Sequence, residues 1–317
     1  MAEFHLPDFE LFSYFNILKK EADEYIFFLE SLTGDENARY SILGFHSLLQ
    51  METRAGTVSV STESYSINLP MNILEAQRSL LQAQSAEAAL PVSYFYGGMV
   101  GFWGYDLALQ IEGINKHERP APSLPDAAFF VPGIVVVQDR ITSAIQVFGF
   151  YDPDYEKATD IHERVKETVQ AIMDSRTGLT TARHETIKQF GNDNDFISNT
   201  SQAEFENIVG KAQKHINRGD IFQAVLSQRW KKATTASPLG VYAELRRLNP
   251  SPYMFYLHFP GYTLVGSSPE MLVKVENDRI QTRPIAGTRP VTHNEEQDAI
   301  FRRELAEDAK ERAEQLM

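Results

Sequence analysis

From Ala127 to Asp139 the chain reads AAFFVPGIVVVQD, and SAIQVFGFY follows from Ser143 to Tyr151. Two runs so rich in β-branched and aromatic residues, joined by a short polar turn, predict a buried pair of strands. Other runs are of the same kind. YIFFLES passes through the polar turn LTGDENA into RYSILGF, a hairpin-like arrangement. PVSYFYGGMVGFWGYDL sets Gly97, Gly98, Gly101 and Gly104 among aromatics, which predicts strands approached closely by other backbone. Strands interspersed with helices, without a regular βαβ period, indicate an α+β fold rich in antiparallel sheet.

The chain has 317 residues, 43% of them apolar and 23% charged, enough for an enzyme-sized interior in one large or two medium domains. No apolar run approaches the roughly 20 residues of a membrane span, and residues 1–30 carry no secretory signal pattern. The absence of cysteine excludes disulfides, thiolate metal sites and cysteine nucleophiles. A formal charge of −13 without a basic patch argues against nucleic acid as a partner. The expectation is a cytoplasmic protein with neither membrane nor nucleic-acid partners.

A helix is predicted from about Pro153 to Ser175. From Arg176 to Asn199 apolar periodicity is lost among Thr, Asn, Asp and Gly, so the expected organisation is an N-terminal region 1–175, a linker 176–199 and a second region 200–317. Ser201 and Glu204 form a capping box, after which Phe205, Ile208, Val209, Ala212 and Ile216 mark one helical face up to Gly219. DIFQAVLSQRW then switches to period two, predicting a strand with Gln223, Val225, Ser227 and Arg229 on one face. A helix from Leu239 to Leu248 precedes the runs YMFYLHF, YTLVGSSPEMLVKVEN and RIQTRPIAG, read as antiparallel strands with turns at Pro260-Gly261 and Asn277-Asp278. The chain closes on one long charged helix.

Three places carry candidate chemistry. Glu304, Glu307, Glu311 and Glu314 recur at helical spacing, which reads either as a solvated face or as carboxylates sharing a divalent cation, with magnesium suited to such oxygen donors. Glu270 in GSSPE is a surface glutamate or, if burial raised its pKa, a general acid. In TRPIAGTRP, Thr282 to Pro290, prolines flank the free amides of Ala286, Gly287 and Thr288. That is a rigid turn or, with Arg283 or Arg289, a nest for a carboxylate. No Walker loop, GxGxxG or GxSxG motif is present, and the histidines show no metal-ligand spacing.

Taken together, LES with RYSILG, GGMVGFWGYD, GDIFQAVLSQRW, NPSPYMFYL, GSSPEMLV, TRPIAGTRP and DAKERAEQLM resemble the chorismate-utilising enzymes, in family order across nearly the whole chain. The likeness is strongest to the branch of anthranilate synthase large, aminating subunits. It implies that Glu270 protonates the departing C4 hydroxyl of chorismate, that Gly287 and Thr288 contact chorismate, and that Glu314, assisted by Glu311, holds Mg2+. Two positions sort nucleophiles among catalytic residues of the family: Ala286 stands where the aminodeoxychorismate synthase branch commonly has a lysine, and Gln223 where isochorismate and salicylate synthases have one. Neither residue here is a base or an amine, which leaves ammonia, supplied by a glutamine amidotransferase partner. Ser31 with Pro252, Tyr253 and Met254 matches the pocket in which tryptophan acts as feedback inhibitor. The resemblance also implies a further C-terminal section holding a histidine and the remaining metal carboxylates, so the expectation is a truncated catalytic domain with half a metal site, inactive alone. Aminodeoxychorismate synthase, or a non-catalytic module binding tryptophan or the partner, stand as alternatives.

Overall fold

The computed structural model describes residues 1–21, 25–32, 39–54, 56–83, 94–114, 124–154, 156–177, 196–276, 278–285 and 287–316. The elements begin with β1 (Ala2–His5), α1 (Leu11–Glu21), β2 (Ile26–Glu30), β3 (Tyr40–Arg54), β4 (Thr57–Ser61), β5 (Ser66–Leu69) and α2 (Ile73–Ala83). β6 (Val100–Trp103), α3 (Leu107–Ile111), β7 (Ala127–Asp139), β8 (Ala144–Gly149) and α4 (Ala158–Thr177) follow. Next are β9 (Ile197–Ser198), α5 (Gln202–Arg218), β10 (Trp230–Lys231), α6 (Pro238–Leu248), β11 (Tyr253–Phe259) and β12 (Tyr262–Ser268). β13 (Lys274–Glu276), β14 (Arg279–Gln281), α7 (Glu295–Glu307) and α8 (Ala309–Leu316) complete the chain.

Two compact units emerge, one made of Met1–Ala182 with Tyr242–Met317 and the other of Arg183–Val241. The first is built on an antiparallel sheet in the order β1-β8-β7-β3-β2-β11-β12, with β4 and β6 branching from β3 and β7 and β5 beyond β4. Strands from before and after the expected linker therefore share one sheet. Most of that linker, 178–195, lies outside the described residues.

AAFFVPGIVVVQD is buried along nearly its whole length as β7, because both faces of its sheet are covered. Ala127, Phe129 and Val131 join a core with Met51, Val58, Val60 and Ile73 of the β4 and α2 side. Ala128 and Phe130 point the other way, to Phe27, Phe148, Leu257 and Phe259. On a third side, Phe12 and Phe15 of α1 meet Phe28, Tyr242 and Tyr256 at ring distances of 4.7–6.0 Å. Each such side chain contributes about 1.5–3 kcal/mol by leaving water. Gly101 and Gly104 answer the question posed by the glycine-aromatic run: a Cβ on either would collide with the backbone of Ala128 or Asp126 in the neighbouring strand segment.

Helix α5 has the expected capping box, with Ser201 Oγ accepting from the Glu204 amide and the Glu204 carboxylate accepting from the Ser201 amide, and Gly219 ends it in the left-handed conformation. Its apolar face is a different matter, since no residue of α5 is buried. The strand expected over DIFQAVLSQRW shortens to Trp230–Lys231, paired with Ile197–Ser198. A period-two pattern becomes a strand only with a hydrogen-bonding neighbour, and Phe222 and Val225 are 79% and 87% exposed. The long closing helix is also corrected: Asp308, at φ −64° and ψ 118°, breaks it into α7 and α8. Its Oδ1 accepts from the amides of Lys310 and Glu311, so it caps the start of α8. Glu304 and Glu307 thus belong to one helix, and Glu311 and Glu314 to another.

Candidate functional site

The LES and PSPYM motifs, far apart in sequence, meet where β2 pairs with β11. Met254 lies opposite Glu30, and the Leu32 amide donates to the Ser251 carbonyl at 3.1 Å. Met254 is buried and Pro252 and Tyr253 are half-buried beside Ser31 in this strand-end junction. The hydroxyls of Ser31 and Ser251 are buried with no hydrogen-bond partner among the described residues. A buried hydroxyl without a partner costs about 1–3 kcal/mol, which a polar ligand would relieve.

A charged network fixes this junction from behind. Glu30, its side chain 1% exposed, accepts from Tyr242 Oη at 2.8 Å and from Arg246 Nε and Nη2 at 2.9 and 3.2 Å. Arg246 also reaches Glu10 at 3.0 Å and lies over the Phe12 ring. Burial, with Glu30 adding to it, pushes the Tyr242 hydroxyl far above its ordinary pKa, so it remains a donor. Burial alone would lower the Arg246 pKa, but Glu30 and Glu10 outweigh it and raise it. Neither Glu30 nor Arg246 is among the candidate site residues that the sequence marks. The available signal was a glutamate inside the strand run YIFFLES, since a carboxylate in so apolar a strand needs a buried partner.

The second candidate region joins TRPIAGTRP to α8. A Cβ on Gly287 would overlap the Glu311 carboxylate, so only glycine lets that carboxylate rest on the loop. The φ of Gly287 lies outside the left-handed region, so the requirement is for space. Glu311 is 15% exposed at its side chain, and its Oε2 is buried without a hydrogen-bond partner among the described residues. Glu314 is half-buried three residues further along α8, on the same face. Arg289 Nη1 stands 3.8 Å from Glu311 Oε1, and its Nη2 stands 3.8 Å from Asp308 Oδ2. The Glu311 amide, then that of Lys310, with Arg289 nearby, holds the Asp308 carboxyl below its ordinary pKa.

Thr288 and Glu270 are exposed, and the Glu270 amide donates to Ser268 Oγ at 3.3 Å. The burial expected of a general acid at Glu270 is not supplied by the described residues. Ala286 lies outside them, and Gln223 is exposed in the other compact unit. Among the described residues no group of three or more His, Cys, Asp or Glu forms a metal cluster. Glu311 and Glu314 still fit a hard cation as a pair, because they are oxygen donors and one buried oxygen lacks a partner.

The sequence signature of the chorismate binding enzyme family matches residues 26–317. The chain belongs to that family. Among chorismate binding enzymes it is similar to anthranilate synthase component 1 of Acetivibrio thermocellus, 36% identical over 92% of this chain and 60% of the relative. To the component 1 of Pseudomonas putida it is 33% identical, over 100% of this chain and 64% of the relative. The crystal structure of anthranilate synthase component I from Streptococcus pneumoniae superposes with a TM-score of 0.70 at 27% identity, covering 90% of this chain and 60% of that one. The sheet-rich α+β architecture is thus shared with that enzyme, and the chain spans about 60% of the length of the relatives it matches. No helix among the described residues is long and apolar enough to cross a membrane.

Proposed function

We propose that this chain carries the chorismate- and magnesium-binding part of an anthranilate synthase component I, together with elements of a tryptophan feedback site. The observation that carries the reading is the seating of Glu311 on Gly287, which brings the loop expected to bind chorismate against the carboxylate expected to bind metal. Gly287 and Thr288 bind and orient the substrate, and Glu270 delivers a proton to the C4 oxygen as it leaves as water. Ammonia from a glutamine amidotransferase adds at C2, giving aminodeoxyisochorismate, and elimination of pyruvate then yields anthranilate. Magnesium, when bound, supplies positive charge to the substrate's ring carboxylate. Gln223 and the position of Ala286 offer neither a lysine base nor a lysine nucleophile, which favours ammonia. The buried hydroxyls of Ser31 and Ser251, which have no partner among the described residues, support the tryptophan site.

The chain is tested joined to the part of the Pseudomonas putida relative that it does not cover, with chorismate, ammonium and magnesium. The expected product is fluorescent anthranilate, reduced by added tryptophan. Aminodeoxychorismate, which keeps its enolpyruvyl group, would overturn the assignment in favour of the aminodeoxychorismate branch. The 317-residue chain alone is expected to form neither product.

A further inference from the structure

Arg289 is the second arginine of TRPIAGTRP and faces α8. Its Nη1 donates to its neighbour's carbonyl, Thr288 O, at 3.0 Å, and the guanidinium spans Glu311 and Asp308 at 3.8 Å each. Those separations are those of an ion pair and are too long for hydrogen bonds. The charge is therefore felt by Glu311 while the lone pairs of that carboxylate stay available, and Oε2 has no hydrogen-bond partner among the described residues. Lys310 and Arg312 lie on the same helix but are exposed. Arg289 is 29% exposed at its side chain and reaches the two carboxylates from the facing loop.

We propose that Arg289 sets the divalent-cation affinity of the α8 carboxylates, acting as a tethered competing charge on Glu311. The inference rests on the reading of Glu311 and Glu314 as metal carboxylates. A metal ion on Glu311 shares that carboxylate with the guanidinium, and a double charge about 6 Å from a single one in a water-like medium loses roughly three- to tenfold in affinity. If Arg289 served instead to hold Glu311 in position, its removal would weaken metal binding. The two roles have opposite signs.

The experiment is titration of the 317-residue chain with Mn2+ alone, followed by loss of the free-ion electron paramagnetic resonance signal, which needs no turnover. Arg289→Gln and Arg289→Met are expected to bind about three- to tenfold more tightly than wild type. Arg289→Lys, which keeps the charge, should stay within about twofold, and the gap should narrow at high salt as screening grows. Circular dichroism confirms that each variant is folded. Unchanged or weaker binding in both charge-removing variants would overturn the proposal, as would equal tightening in Arg289→Lys. Wild-type binding that is absent, or that survives Glu311→Gln with Glu314→Gln, removes the underlying metal reading. Carboxylate-dependent binding that Arg289→Gln fails to tighten removes only the role given to Arg289.

Discussion

The junction of β2 with β11 and the junction of TRPIAGTRP with α8 both bring distant motifs together, but they are held in different ways. At the first, Glu30 is enclosed by Tyr242 and Arg246, and Met254 is 1% exposed. At the second, the ion pairs of Arg289 are 3.8 Å long, and the neighbouring apolar side chains Leu272, Val275 and Val291 are 81%, 67% and 73% exposed. The partners at the first junction all lie within the sheet and its helices. The second is set mainly by one glycine that leaves room for one carboxylate. Loss of a residue at the first junction therefore unfolds the chain, whereas loss of one at the second alters a site.

The largest expected contrast is between the two arginines. Arg246→Ala leaves Glu30 charged and buried and should cost about 3–5 kcal/mol in a urea unfolding experiment. Arg289→Gln should cost less than about 1 kcal/mol, since its pairs are partly exposed. Equal losses would remove the distinction. The glycines sharpen it further. Gly101→Ala forces a Cβ into the backbone of β7, which cannot yield, and should cost about 3 kcal/mol. Gly287→Ala meets only the end of the Glu311 side chain, so stability should fall by less than about 1 kcal/mol while Mn2+ binding weakens.

A smaller effect belongs to pH. Burial opposes the charge of Asp139, but the Arg39 guanidinium at 2.7 Å and the amides of Ile141 and Thr142 outweigh it and hold its pKa at about 2. Because the folded pKa lies below the ordinary value of about 4, this stabilisation is complete above about pH 4 and is lost as pH falls toward 2. Arg39 is 40% exposed, so screening reduces the contribution to no more than about 1 kcal/mol. Asp139→Asn should flatten stability across that window, as read by thermal unfolding at several pH values. The smallest effect is predicted for Leu272→Ser, within about 0.5 kcal/mol, since Leu272 is 81% exposed.

Much of the sheet was legible in the sequence because its strands bury continuous runs or mark tight approach with glycine, as at Phe129 and Gly101. The capping box of α5 was legible because it is local. What depended on partners was not. Residues 221–229 alternate like a strand but have no ladder neighbour among the described residues. The break at Asp308 had a readable sign, since Asp308 and Glu311 stand in the D-x-x-E spacing of a helix start, but the periodic glutamates on both sides masked it. Of the candidate sites, the residue types were legible, while the seating of Glu311 on Gly287 and the reach of Arg289 depend on how the loop returns to α8.

The proposed tryptophan pocket of Ser31, Pro252, Tyr253 and Met254 is separate from the carboxylates of α8. Calorimetric titration of the chain with L-tryptophan tests it most directly, using wild type, Ser31→Arg and Glu311→Gln. Saturable binding that Ser31→Arg removes and Glu311→Gln leaves intact is expected. Binding absent from the wild type, or unchanged by Ser31→Arg, would contradict it.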